Sequence, residues 1–193
     1  AAVQTKLRRN LPQLKRARIN GNLNINKLTD REDTVERKGI KIIKADINGV
    51  VKELNKALSD EWLAYYQYWL GEKVVKGKFR EEVAAELGQH AADELKHAGM
   101  IADRIIQLGG TPVLKPEDWY KLTNCGYDAP ENPDVIPVLK QNIKGEQCAI
   151  EVYQKLAEML KDKDPITYLM VLSILKDEIE HEDDLMNILE DIQ

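Results

Sequence analysis

The sequence is poor in cysteine, aromatic residues, glycine and proline, and it contains no long hydrophobic run. Its two cysteines, Cys125 and Cys148, are too few to form the disulfide framework of a small secreted protein. No apolar stretch approaches the roughly 18 residues of a membrane span, and the start lacks the apolar core of a secretory signal. With 32% charged residues in 193, these absences predict an all-α, cytoplasmic protein with no membrane partner.

Charge is distributed unevenly along the chain. Residues 1–29 contain seven Lys or Arg and no Asp or Glu; since the whole chain carries −5, residues 30–193 carry −12. We therefore divide the chain into a basic N-terminal extension, residues 1–45, and a folded domain, residues 46–193. The extension can bind DNA through its phosphates or contact the acidic body of the protein, and the second interpretation is favoured. Its Ile40–Ile43 run is either a short strand or an irregular lead-in.

The spacing of apolar residues predicts four long helices. In each helix they recur alternately three and four residues apart, which places them on one face, as the core of a helical bundle requires. The predicted helices run from Asp46 to about Gly71–Gly77, over 79–108, over 135–162 and from Pro165 to about 191. Asp164 and Pro165 are typical of a helix start.

A connector of about 25 residues, 110–134, separates the second and third predicted helices. Gly109 and Gly110 end the second helix, and Pro112 and Pro116 prevent its continuation. The connector is long enough to cross the whole bundle, so that the second and third helices can run parallel. A short helix is expected near Pro116–Tyr120.

Two Glu-x-x-His motifs organise the chain. Glu94 and His97 lie on one predicted helix and Glu178 and His181 on another, and residues three apart share a helix face. Each motif has an earlier partner: Glu61 lies 33 residues before Glu94, and Glu146 lies 32 residues before Glu178. The chain therefore contains two copies of a pair of helices, the first with Glu and the second with Glu-x-x-His.

All six of these residues fall in stripes that are otherwise apolar. Four buried carboxylates without partners would repel each other and take up protons. Two divalent cations balance the four negative charges, and each His completes the coordination of one cation. This is the ligand set of di-iron carboxylate four-helix bundles, and carboxylate with imidazole suits iron or manganese. We expect two iron ions per chain, with Glu61 and Glu146 bridging them.

Other side chains near the motifs have two interpretations each. His90, one turn before Glu94, is interpreted as a hydrogen-bonded core histidine rather than a metal ligand. Tyr65 and Tyr153 are core residues or neighbours of the site, with electron relay as the alternative. Cys125 and Cys148 are either two ordinary buried thiols, or a redox-active pair or disulfide beside the site.

Five segments resemble the ferritin-like superfamily and, within it, the Dps-like thioferritins; the resemblance covers residues 46–191. They are Glu61–Trp69, Glu94–Ala98, Gly109–Pro112, Asp128–Pro133 and Glu146–Ile150. The resemblance implies a bacterioferritin-like di-iron ferroxidase site within each subunit of a dodecameric Dps-like shell. It also implies oxidation of Fe(II) by hydrogen peroxide, or by oxygen, and storage of the ferric product as a mineral. The cysteine pair is what points to thioferritins, and the resemblance together with the crossing connector predicts that Cys125 and Cys148 lie within disulfide reach.

Departures from related families narrow this expectation. The chain ends twelve residues after His181, too soon for the fifth helix of 24-subunit ferritins. Leu95 stands where bacterioferritins carry a haem-ligating Met, so no haem is expected. The absence of a Cys-x-x-Cys pair argues against rubrerythrin. The alternatives are a di-iron oxygenase or catalase that forms no storage shell, which an apolar pocket beside the metals would favour, and a nucleoid-binding protein acting through the basic extension.

Overall fold

The computed structural model describes residues 37–192, and within that range the chain forms six helices and no strand. They are α1 (Lys38–Lys41), α2 (Ile47–Val74), α3 (Arg80–Gln107), α4 (Pro116–Leu122), α5 (Val135–Leu160) and α6 (Pro165–Asp191). The all-α prediction and the four long helices are confirmed. The Ile40–Ile43 run begins in the single turn of α1 and is not a strand. The cations of residues 1–29 lie outside the described residues, so DNA binding stays a prediction.

Local signals set the helix starts. The Asp46 carboxylate accepts a hydrogen bond from Asn48 N at 3.2 Å and caps α2. The Asp164 carboxylate accepts one from Thr167 N at 3.1 Å and caps α6, with Pro165 in the first turn. Arg104 Nη2 also donates to both Asp164 oxygens at 3.0 Å, which fastens the end of α3 to the start of α6.

The long helices form two antiparallel hairpins, α2 with α3 and α5 with α6. Lys44 N donates to Lys163 O at 2.7 Å, so the start of α2 lies beside the end of α5. Lys76 N donates to Pro133 O at 2.8 Å, so the end of α2 lies beside the start of α5. Helices α2 and α5 are therefore antiparallel, α3 and α5 are parallel, and the connector crosses the bundle as predicted.

The connector is fastened along α2. Asn55 donates to Thr111 O at 3.1 Å and accepts from Val113 N at 2.6 Å. At Gly110 the backbone comes so close to α2 that a Cβ would lie 2.6 Å from Val51 Cγ1. These contacts hold the start of the connector against α2.

The core has two apolar halves with a polar layer between them. One half includes Leu54, Leu58, Ile101, Leu156 and Ile174, and the other includes Tyr68, Leu87, Leu139, Ile143 and Leu185. On every long helix the predicted ligands fall between the residues of these two halves. None of the helices in residues 37–192 has the length and apolar character needed to cross a membrane.

Candidate metal centre

The six predicted ligands converge in the polar layer. Helices α2 and α5 supply Glu61 and Glu146, and the motifs on α3 and α6 supply one Glu and one His each. Every one of the six side chains is buried, with at most 5% of the residue surface exposed. The predicted burial of four carboxylates and two imidazoles inside the bundle is therefore confirmed.

The six residues form two overlapping groups of four possible ligands. One contains Glu61, Glu94, His97 and Glu178, and the other contains Glu94, Glu146, Glu178 and His181. Within each group, one ligand atom per residue lies within 4.8 Å of the others. Two metal positions therefore share the two motif glutamates.

The expectation that Glu61 and Glu146 bridge stays a prediction, but the sharing of Glu94 and Glu178 by both groups favours these two residues for that role. Glu94 lies 3.2 Å from His97 Nδ1 through Oε2 and 3.5 Å from His181 Nδ1 through Oε1. Glu178 likewise approaches the two Nδ1 atoms at 3.3 and 3.4 Å. The motif glutamates stand between the two imidazoles, so Glu94 and Glu178 are the residues placed to bridge.

Of the two motif imidazoles, Glu61 and Glu146 each approach only one. Glu61 Oε2 lies 3.6 Å from His97 Nδ1, and Glu146 Oε1 lies 3.9 Å from His181 Nδ1. Each therefore belongs to only one of the two four-ligand groups.

In the metal-free protein, protons offset the crowding of negative charge. Burial, reinforced by neighbouring glutamates, raises the pKa of Glu61 and Glu146 well above the usual range. Burial opposes the charged imidazolium of His181, but the carboxylates of Glu178 and Glu94, 3.4 and 3.5 Å from its Nδ1, outweigh that effect and raise its pKa to about 11. Burial would also raise the pKa of Glu94, yet His181 and His97 lower it.

Several buried polar atoms of the site have no hydrogen bond. They are Glu61 Oε2, both carboxylate oxygens of Glu178 and His181 Nδ1. Buried polar atoms in folded proteins are nearly always paired, and all four atoms belong to residues of the two ligand groups. This donor set, oxygen with imidazole nitrogen, fits two divalent transition-metal ions.

Two tyrosines support the end carboxylates. The Tyr153 hydroxyl on α5 donates to Glu61 on α2, and the Tyr68 hydroxyl on α2 donates to Glu146 on α5. The prediction that Tyr153 neighbours the site is confirmed, whereas Tyr65 packs edge-on against Trp62. Each of the two tyrosines follows the glutamate of its own helix by seven residues. That repeated spacing is the signal that would have identified Tyr68.

Two aspartates face the outer nitrogens of the histidines. His97 Nε2 lies 3.2 Å from Asp177 Oδ2, and His181 Nε2 lies 3.8 Å from Asp93 Oδ2. A carboxylate on the outer nitrogen directs the inner nitrogen, here Nδ1, toward a metal. Sequence reasoning missed both residues. The signal was present, because an Asp immediately precedes the Glu of each motif, which then reads Asp-Glu-x-x-His. Each Asp faces the histidine of the other motif.

His90 lies next to the site but departs from its predicted character. It is fully buried, as expected of a core histidine, and its ring stacks on that of His181 with centroids 4.0 Å apart. Neither ring nitrogen makes a hydrogen bond. The prediction that His90 is a core residue is therefore confirmed, and the prediction that it is hydrogen-bonded is wrong.

Cys125 and Cys148 form a disulfide, with Cα atoms 5.8 Å apart. The predicted disulfide reach is confirmed, the question of whether the bond forms is answered, and the alternative of two free buried thiols is wrong. The bond fastens the connector to α5 two residues from Glu146. Asp60 anchors the same part of the connector by accepting from Asn124 N at 2.7 Å and Cys125 N at 3.0 Å. Redox activity of the pair stays a prediction.

A cavity of about 380 Å³ extends from the disulfide to the carboxylates. Its walls include Asp60, Gln67, Asn124, Asn142 and Gln147 as well as Glu61, Glu94, Glu146 and Glu178. Among the described residues that line it, none is Leu, Ile, Val, Met, Phe or Trp. The cavity is suited to a small polar or charged species.

Replacing both cysteines by Ser is expected to lower the free energy of unfolding by about 3 kcal/mol. The bond closes a segment with a sequence separation of 23, and a loop of that size loses about this much denatured-state entropy when cross-linked. Urea unfolding measures the change, and the wild type unfolded in reductant should show the same loss. Equal midpoints for the variant and the oxidised wild type would contradict a stabilising role.

Comparison with known proteins agrees with this geometry. The protein-family model described as a ferritin-like domain matches residues 51–193. The "DNA protection during starvation protein" of Pyrococcus furiosus is 32% identical over 150 residues, which is 77% of this chain and 78% of that protein. A bacterioferritin of Desulfovibrio desulfuricans is 28% identical over 134 residues, 68% of this chain and 69% of that protein.

Among solved structures, the bacterioferritin-related protein of Bacteroides fragilis, described as a dodecameric thioferritin, superposes with a TM-score of 0.80. It is 46% identical in sequence, and the match covers 81% of this chain and 95% of that protein. The likeness therefore extends over nearly the whole of that relative.

Proposed function

The chain belongs to the ferritin-like family, and on this basis we propose that it is a ferroxidase that oxidises Fe(II) and stores the ferric product inside a shell of identical subunits. The observation that carries the proposal is the pair of overlapping four-ligand groups in the polar layer. The dodecameric relative supports the shell.

In this proposal two Fe(II) ions are substrates held by the six buried ligands. Glu94 and Glu178 contact both ions, while Glu61 with His97 and Glu146 with His181 complete the two ends. Four carboxylates offset the charge of two divalent ions. Because bound ligands must be deprotonated, loading releases the protons held by the imidazoles and carboxyls of the metal-free protein.

Holding two Fe(II) ions together allows a balanced two-electron reaction. Each ion gives up one electron, and one hydrogen peroxide accepts both electrons with two protons to form two waters. Two separate one-electron steps would release hydroxyl radical, which the pairing of ions avoids. The hydroxyls of Tyr68 and Tyr153 keep Glu146 and Glu61 oriented while charge at the centre changes.

The side chains that line the cavity favour this function over an oxygenase. A site for an organic substrate is lined mainly by large apolar side chains, whereas the described lining residues include many amides and carboxylates and no Leu, Ile, Val, Met, Phe or Trp. Acidic and amide side chains suit the passage of a cation toward the centre. The cavity beside the disulfide is therefore assigned to the traffic of ions and small oxidants.

The proposal is tested by oxidation and retention of iron. Metal-free protein is loaded anaerobically with Fe(II), and hydrogen peroxide is added in known amounts while ferric absorbance is followed. We expect two Fe(II) oxidised per peroxide, at a rate well above that in buffer, with the iron co-eluting with protein in size-exclusion chromatography. Oxidation at the buffer rate, or ferric precipitate separated from the protein, would contradict the proposed function.

A further inference from the structure

We propose a third cation site, formed by Glu86, His90 and Asp184, that binds a divalent transition-metal ion just outside the dinuclear centre. Glu86 and His90 lie one turn apart on α3, and Asp184 lies one turn after His181 on the antiparallel α6. One ligand atom from each of the three residues lies within 4.8 Å of the others. The site is distinct from the two four-ligand groups, because none of its residues belongs to either.

The buried imidazole of His90 points to a ligand at this position. The residue has 0% of its surface exposed, yet neither ring nitrogen makes a hydrogen bond. Nε2 faces Glu86 Oε1 at 3.1 Å without the geometry of a hydrogen bond. Stacking on His181 and an edge-on contact with Tyr68, centroids 5.2 Å apart, fix the plane of the ring. A fixed, buried and unpaired nitrogen directed at a carboxylate is the arrangement that a cation between them would satisfy.

The charge of the cluster also favours a cation. Glu86 and Asp184 are like-charged carboxylates on neighbouring helices, and a divalent ion between them removes their repulsion. Asp184 is exposed, and the surface of α6 beside it carries Glu180, Glu182 and Asp183. Two carboxylates with one imidazole suit Fe(II), Mn(II) or Zn(II).

The position of His90 gives the site a role in loading the centre. A ligand atom of His90 also lies within 4.8 Å of ligand atoms of Glu146 and His181. His90 therefore belongs both to the third site and to a group with two ligands of the dinuclear centre, which places the third site on a route by which an ion reaches that centre. This role rests on the proposed function, whereas the site itself rests on the geometry of the three residues.

The site is tested by counting Co(II) bound to the metal-free full-length protein in equilibrium dialysis. The double variant Glu86→Gln with Asp184→Asn removes both carboxylates from the cluster. The matched control, Glu82→Gln with Asp183→Asn, removes the same charge from exposed positions of the same two helices. We expect the cluster variant to bind one Co(II) per chain fewer than the wild type, and the control to bind as many as the wild type.

Anomalous diffraction from crystals soaked with Co(II) locates the ions independently. The expected result is a peak among Glu86, His90 and Asp184 in the wild type and its absence in the cluster variant. Equal binding by all three proteins, an equal loss in the control, or no peak at the cluster would overturn the third site. Peaks at the dinuclear centre in that case leave the proposed function standing, while their absence as well would contradict both.

Discussion

Replacing Glu61 and Glu146 together by Gln is expected to slow Fe(II) oxidation more than about 100-fold while the bundle stays folded. Changes to groups that merely orient metal ligands often cost 10- to 100-fold, so loss of two ligand carboxylates should cost more. Each Gln keeps the shape of the side chain and an oxygen that accepts from Tyr153 or Tyr68. Stopped-flow absorbance after mixing with Fe(II) and peroxide measures the rate.

Stability of the metal-free variant provides a second readout. Burial raises the pKa of Glu61 and Glu146 in the folded state above the ordinary value of 4.5. Their contribution to stability is therefore full below pH 4.5 and falls as pH rises through the folded pKa, so at neutral pH they cost stability. Gln removes that cost. We expect a melting temperature equal to or above that of the metal-free wild type, about 2–4 °C higher per 1 kcal/mol gained.

An exposed glutamate on α5, the helix of Glu146, serves as the control for this pair. Glu158→Gln changes a carboxylate outside the polar layer and outside the lining of the cavity, and it should alter neither the rate nor the melting temperature by much. Wild-type oxidation in the double variant would exclude Glu61 and Glu146 as ligands. A melting temperature well below that of the wild type would contradict the electrostatic account of the metal-free site.

Light scattering in line with size exclusion is expected to give about twelve times the 22.0 kDa chain mass. The expectation comes from the dodecameric relative, which is 46% identical and covered over 95% of its length. The subunit also presents large exposed side chains, including Tyr66, Trp69, Tyr120 and Leu169, of the kind that subunit contacts cover.

Particle shape separates storage from other assemblies. Electron microscopy of the twelvefold species should show a hollow particle, and iron loading should fill it with dense material. A stable monomer or dimer under native conditions would instead favour the oxygenase or catalase alternative, because neither of these functions needs an enclosed space.

Helix limits and site membership were predictable from the sequence because both depend on local information. Asp46 and Asp164 are caps whose hydrogen bonds are made within one turn, and Gly109 adopts a backbone with φ of 84°, which ends α3. The spacing of three and four residues assigns each side chain to a face, so buried carboxylates such as Glu61 and Glu146 stand out among apolar neighbours. The six candidate ligands followed from that contrast.

What the sequence did not reveal depends on distances between helices. Glu94 and Glu178 both stand between the two motif histidines, and periodicity within one helix contains no such distance. The unpaired nitrogens of His90 likewise depend on what α6 places opposite them. The contact of Tyr68 on α2 with Glu146 on α5 also joins two helices.

The most direct test of the dinuclear site is anomalous diffraction at the iron absorption edge from crystals soaked anaerobically with Fe(II). The account predicts two iron peaks inside the bundle, one among Glu61, Glu94, His97 and Glu178 and the other among Glu94, Glu146, Glu178 and His181. A single peak in the polar layer, or none there while iron binds elsewhere on the subunit, would contradict it.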